Sequence, residues 1–148
     1  MRIRIYCSLA LLGLLSIACG PIVMLPGGAL SGEVEPIPAS WAFTNEVETV
    51  QLETRPSDPY SVNIWAVEAE GSLYIVAGGG LDSTWAQHIQ QDPLVRLRVE
   101  DALYELEAVE ANDEAHRALF LAAAREKYDF EPENEDVDKA ILYRLDPR

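Results

Sequence analysis

Apolar and β-branched residues alternate with polar ones along much of this chain, and that alternation predicts short β-strands. Glu70-Gly71 separates two of these stretches with residues typical of a hairpin turn, and Glu100-Asp101 makes a second tight turn. The predicted strands are residues 46–54, 61–67, 73–77, 94–99, 101–109 and 140–145.

Two stretches have helical rather than strand character. Residues 85–91 form about two helical turns that end at Asp92-Pro93, because proline disfavours helix in the residue before it. Residues 112–128 are predicted as a longer helix, since Asn112 and Asp113 offer an N-cap and small apolar residues recur at helical spacing. We therefore expect a mainly β protein with two helices, folded as a small six-stranded antiparallel barrel that is closed or partly closed.

The N-terminus has the pattern of an export signal. Arg2 and Arg4 precede a short apolar run, which is too short for a stable membrane span and ends in small residues before Cys19. This resembles the bacterial lipobox, in which the cysteine is lipidated; the alternative is an ordinary secretory signal. The prediction is a signal peptide over 1–18, a lipidated Cys19 with a flexible tether over 19–40, and a domain over 41–148.

Cysteine content and charge narrow the chemistry further. Cys7 lies inside the predicted signal, so no thiol remains after Cys19 for a disulfide, a thiolate metal site or a nucleophile. The net charge is −14, which disfavours nucleic acid as a partner because phosphate binding needs clustered basic residues. We expect no metal site, although the acidic stretch 131–138 leaves weak calcium binding as an alternative.

Several residues could bind a small molecule. Gly78, Gly79 and Gly80 precede a helix N-terminus and would allow close backbone approach to a ligand, or they could form a plain turn. Trp65 or Trp85 could stack on a ring or pack in the core. Arg96 and Arg98 could meet a phosphate, or they could mark the solvent face of a strand.

The segment W-x-x-H-I-x-x-D-P-x-V-R-L-R-V at residues 85–99 resembles the FMN-binding split barrels, which include pyridoxamine-phosphate-oxidase-like proteins and deazaflavin-dependent nitroreductases. Looser similarity extends over residues 50–111. This chain departs from those nitroreductases at residues 55–59, where their glycine and second basic residue are missing, and at His88, where they carry asparagine.

The resemblance implies a split-barrel oxidoreductase that uses FMN or a deazaflavin. The cofactor-binding residues it implies are Arg55, Ser61, Asn63, Gly78, Gly79, Gly80, Trp85, His88, Arg96 and Arg98. It also implies a homodimer. The lipobox resemblance implies attachment to the cell envelope through Cys19, and Gly20 after that cysteine favours the outer membrane. The alternative is a cofactor-free envelope lipoprotein that acts as a scaffold or interaction module.

Overall fold

The computed structural model describes residues 25–131 and 138–148, and in these ranges the chain forms eight strands and two α-helices. Two short 3₁₀ turns, Ala42–Glu46 and Gly80–Asp82, complete the regular elements. In chain order the elements are β1 (Glu33–Val34), β2 (Val50–Thr54), β3 (Tyr60–Ile64), β4 (Ala66–Ala69), β5 (Ser72–Ala77), α1 (Thr84–Gln91), β6 (Leu94–Val99), β7 (Ala102–Glu110), α2 (Glu114–Tyr128) and β8 (Ile141–Pro147).

The predicted class, mainly β with two helices, is confirmed, but the expected count of six strands is wrong. The stretch predicted as one strand over 61–67 is two strands, β3 and β4, because Trp65 interrupts the pairing and the residues on either side of it pair with different strands, β2 before it and β5 after it. β1 was not predicted, since two residues are too short to show alternation.

Seven strands form one curled antiparallel sheet in the order β3-β2-β6-β7-β8-β5-β4. β3 and β4 are consecutive in the chain, yet they lie at opposite ends of this order. The sheet therefore curls into a half-barrel whose gap lies between β3 and β4, with Trp65 bridging it. The hairpin turn between β4 and β5 follows the sequence prediction, because Glu70 and Gly71 both have the positive φ that such a turn requires, 50° and 82°.

Two apolar cores stabilise this arrangement. The larger fills the inside of the half-barrel, with Leu52, Ile75, Leu97 and Tyr143 fully buried. The smaller lies on the outer face of β4, β5 and β8, where Phe120 and Ala124 of α2 cover Val67. Asp113 caps α2, since its side chain accepts a hydrogen bond from the His116 backbone N–H.

Part of the predicted tether lies on the sheet. Gly27 exchanges two backbone hydrogen bonds with Ser61 on the edge strand β3, at 2.8 and 2.9 Å. From there the chain crosses the outer face of the sheet to β1, which pairs in parallel with β7. Leu30 is only 4% exposed. We call residues 27–35 the strap. The predicted signal and Cys19 lie outside the described residues.

Candidate functional site

An apolar groove of about 310 Å³ opens where the two cores meet, beside the gap in the barrel. The ends of β3 and β5 form one side of it, and the C-terminal half of α2 forms the other. Trp65, Gly78, Ser83, Trp85, Tyr128 and Phe130 are the lining residues that matter most. This volume lies at the lower end of the range for small-molecule sites, which is about 300–1,000 Å³.

Trp65 gives the groove its exposed aromatic face. Trp65 is 45% exposed, although every residue of the two flanking strands, β3 and β4, is buried or half-buried. The ring stacks on Tyr128 with centroids 4.5 Å apart and an angle of 11° between the planes. Phe130 meets it edge-on at 5.9 Å. Three aromatic rings in this geometry form a surface on which a flat ring could stack.

The end of α2 is fixed by hydrogen bonds to the edge strand β4. Lys127 Nζ donates to the carbonyls of Thr44 and Ala66, both at 2.7 Å. Tyr128 Oη lies 3.1 Å from the same Ala66 carbonyl. Burial lowers the pKa of Lys127 and raises the pKa of Tyr128. These contacts satisfy a backbone group that an edge strand would otherwise leave unpaired, and they hold the Tyr128 ring under Trp65.

The glycine loop forms the rim of the groove, and its glycines differ in role. A Cβ on Gly78 would meet no atom within 4 Å, so this residue leaves open space where the loop meets the groove. Gly80 has φ of +56°, and a Cβ there would lie 2.3 Å from the Lys139 carbonyl oxygen. Gly80 is therefore required for chain packing. Trp85 is only 8% exposed and lies in the main core, with one side toward the groove.

His88 lies one turn further along α1 and is not a lining residue of the groove. Its Nδ1 is 2.9 Å from Thr54 Oγ1, and the ring meets the Tyr60 ring edge-on at 5.0 Å. Burial lowers the pKa of His88, and the positive charge of Arg55 lowers it further. His88 is thus a neutral, packed histidine that joins α1 to β2 and β3.

Four of the predicted ligands lie on the outer face of the sheet beneath the strap. Register pairs Ser61 with Glu53, and Glu53 in turn with Arg96. Arg96 makes a two-pronged ion pair with Glu53, at 2.7 and 2.6 Å, and Glu53 is 1% exposed. The Leu30 backbone N–H donates to the same carboxylate at 2.6 Å. Asn63 and Arg98 lie two residues along their strands, where both pair with Gln51. Arg98 donates to the Ser31 carbonyl at 3.1 Å.

The ten predicted cofactor residues therefore lie in three places. The rim and floor of the groove contain Gly78, Gly79, Gly80 and Trp85. Two more, Arg55 and His88, lie by the start of β3. The remaining four lie beneath the strap: Ser61, Asn63, Arg96 and Arg98. The sequence analysis missed Tyr128 and Phe130. The available signal was the aromatic pair at the end of an amphipathic helix, with Tyr128 as its last residue. Nothing local indicated that this pair would meet Trp65, more than sixty residues earlier.

No group of three or more metal-ligating side chains lies close enough for an ion within residues 25–131 and 138–148. In the same ranges, no helix has the length and apolar character needed to cross a membrane.

Residues 42–140, about two thirds of the chain, match a sequence family described as "Uncharacterized protein conserved in bacteria (DUF2255)". The chain belongs to the DUF2255 family. The matched range begins at the first 3₁₀ turn and ends just before β8, so it covers the groove and α2 but not the strap. No curated protein matches the chain.

Several solved structures have a similar fold. A conserved hypothetical protein from Mycobacterium tuberculosis aligns with a TM-score of 0.59 at 21% identity, covering 72% of this chain and 77% of that one. A candidate pyridoxamine 5′-phosphate oxidase from Listeria innocua aligns at 0.56 and 13%, covering 72% and 89%. An F420-H2 dependent reductase aligns at 0.54 and 21%, covering 68% and 95%. The DUF2255 chain therefore has the split-barrel fold of these proteins.

Proposed function

We propose that this DUF2255 protein is a lipid-anchored envelope protein whose split barrel binds a flat flavin- or deazaflavin-type ring and takes part in two-electron oxidation or reduction of a small molecule. The observation that carries the proposal is the groove itself. It is lined by aromatic and aliphatic side chains, it has an exposed tryptophan held in a stack, and it adjoins an open glycine. Proteins of the same fold named as an oxidase and a reductase support the chemical class.

The lining residues suit the ring of such a cofactor. Trp65 would stack on it, Trp85 would support it from the core side, and Gly78 would let it approach the backbone at the end of β5. When bound, the cofactor would supply the hydride chemistry. The protein would supply orientation and an apolar surrounding that excludes water. Ser83 offers a hydroxyl at the rim, where a polar edge of the ring could be recognised.

The proposed anchor is Cys19, with 1–18 removed as a signal peptide and localisation to the envelope, in the outer membrane where the cell has one. Support comes from the basic start, the short apolar run and the small residues before the cysteine. Mass spectrometry of the membrane fraction tests this. A mature N-terminus elsewhere, without acyl mass, would rule it out.

Binding is tested with the full chain in detergent, titrated with FMN, FAD and a deazaflavin while flavin fluorescence and thermal unfolding are followed. We expect saturation by at least one of them at micromolar concentration. Trp65→Ala should weaken binding about two- to tenfold, because stacking on an aromatic side chain contributes about 0.5–1.5 kcal/mol.

Phe43→Ala is the matched control, since Phe43 is 40% exposed but does not line the groove. It should leave the affinity unchanged. If both variants lost affinity equally, or if Trp65→Ala bound flavin as tightly as the wild type, the flavin site would not be the groove.

A second candidate is the cofactor-free scaffold, and one observation favours it: Arg96 and Arg98, the residues expected to meet a phosphate, are already bonded to Glu53 and to the strap. If the folded chain bound no flavin at millimolar concentration, that result would support the cofactor-free scaffold. In either case a homodimer is proposed only from the family resemblance, and sedimentation of the detergent-solubilised chain measures it.

A further inference from the structure

We infer that the groove selects an uncharged, unphosphorylated ring, so that this protein binds the free ring compound at least as well as its phosphate ester. This inference rests on the proposed function and narrows its ligand. It departs from what a nucleotide cofactor requires, which is positive charge for the phosphate beside a slot for the ring.

The chemistry of the groove is the first support. The described lining residues comprise aliphatic and aromatic side chains, one glycine and one serine, and none of them carries a charge. On the α2 side, Lys127 Nζ lies 4.8 Å from the Tyr128 ring centroid, but this ammonium already donates to the Thr44 and Ala66 carbonyls, so a phosphate would have to compete with both bonds.

The arginines that could have approached a phosphate are engaged elsewhere. Arg96 binds Glu53 through two nitrogens beneath the strap, and Arg98 donates to a strap carbonyl. Arg55 pairs with Asp58 at 3.1 Å near the start of β3 and is not a lining residue of the groove. Removing Arg96 from its pair would leave a carboxylate that is 1% exposed without its counter-ion, which makes release for a ligand unfavourable.

The glycine loop does not replace these arginines. Gly80 has the left-handed backbone of an anion-binding turn, but its α-carbon faces the Lys139 carbonyl oxygen, an acceptor that repels a phosphate. The Lys139 side chain is exposed and belongs to the same loop contact, so it is the cation that a phosphate at this rim would use. That makes Lys139→Ala a diagnostic variant.

Riboflavin and FMN test the inference directly, because they share one ring system and differ by a phosphate. Both are titrated into the full chain in detergent, with detergent alone as the blank, at low and at moderate salt. We expect riboflavin to bind within threefold of FMN or more tightly, with Trp65→Ala weakening both. The ratio of the two affinities should change little with Lys139→Ala.

Two or more charge-assisted hydrogen bonds to a phosphate would favour FMN by about a hundredfold or more. A preference for FMN of more than threefold would overturn the inference and leave the proposed function intact. If Lys139→Ala or added salt then abolished that preference, the phosphate would be assigned to the glycine rim. Failure of both ligands to bind a folded chain would overturn the proposed function, and the inference with it.

Discussion

Replacing Arg96 by methionine tests whether this arginine holds the fold together or binds a ligand. In the structure its guanidinium donates two hydrogen bonds to Glu53, whose carboxylate also accepts the Leu30 backbone N–H. Methionine preserves much of the length and apolar stem of the side chain but removes the charge. The Glu53 carboxylate would then remain buried with one donor in place of three.

Breaking a buried ion pair from one side costs about 3–5 kcal/mol. The Arg96 side chain is 23% exposed, so water partly screens the pair, and we expect a loss of about 2–4 kcal/mol in the free energy of unfolding. For a domain of this size that corresponds to a fall in Tm of roughly 8–16 °C. Flavin affinity, measured below the lowered Tm, should change less than threefold.

Thermal and urea unfolding of the full chain measure this loss, and two further variants sharpen it. Arg125→Met removes an ion pair to Glu131 in which both side chains are more than half exposed, and it should cost less than about 1 kcal/mol. Glu53→Leu combined with Arg96→Met should recover part of the loss, since no charge is left buried. A Tm for Arg96→Met within 2 °C of the wild type would refute the structural role, and a tenfold loss of flavin affinity would restore the ligand role.

Gly80→Ala should destabilise the chain by about 2 kcal/mol or more, because Gly80 has a φ of +56° and the new Cβ would meet the Lys139 carbonyl oxygen. Gly78→Ala is the control in the same unfolding assay. It should be nearly neutral, because its Cβ would have open space around it. His88 should make stability depend on pH. Its pKa is lower in the folded chain than in the unfolded chain, so the unfolded chain binds the proton first as pH falls. The free energy of unfolding should therefore fall as pH drops below about 6.5, by at most about 1.4 kcal/mol per pH unit. His88→Gln should flatten that slope between pH 7 and 5.5, and an unchanged slope would assign the titration to another group.

Local patterns determined a large part of this fold. Alternation located the strands at residues 94–99 and 101–109, because one face of each is buried and the side-chain period of a strand is two. Asp92-Pro93 set the end of α1, and Gly71 marked a hairpin turn, because the proline ring and the missing side chain of glycine act on the backbone locally. These features need no partner from elsewhere in the chain.

The site depended on contacts that no local pattern carries. Arg96 and Arg98 occupy alternate positions on a strand face, which is equally typical of a ligand site and of a solvent face. Only the fold shows Glu53 beside Arg96 and the strap lying over both. The strap has three glycines among its nine residues, which is typical of a flexible tether. Its backbone groups nevertheless form hydrogen bonds with β3 and β7.

The groove also combines features that the local sequence sets with features that depend on tertiary contacts. By itself the sequence determined that the chain has one short and one longer helix, a glycine loop and several aromatic residues. The tertiary structure decided that Trp65 interrupts a strand, that the end of α2 returns to the edge of β4, and that Trp65 and Tyr128 therefore stack. The physical reason is the range of the interactions: backbone preferences act over a few residues, whereas ring stacking and ion pairing join positions that only the folded chain brings together.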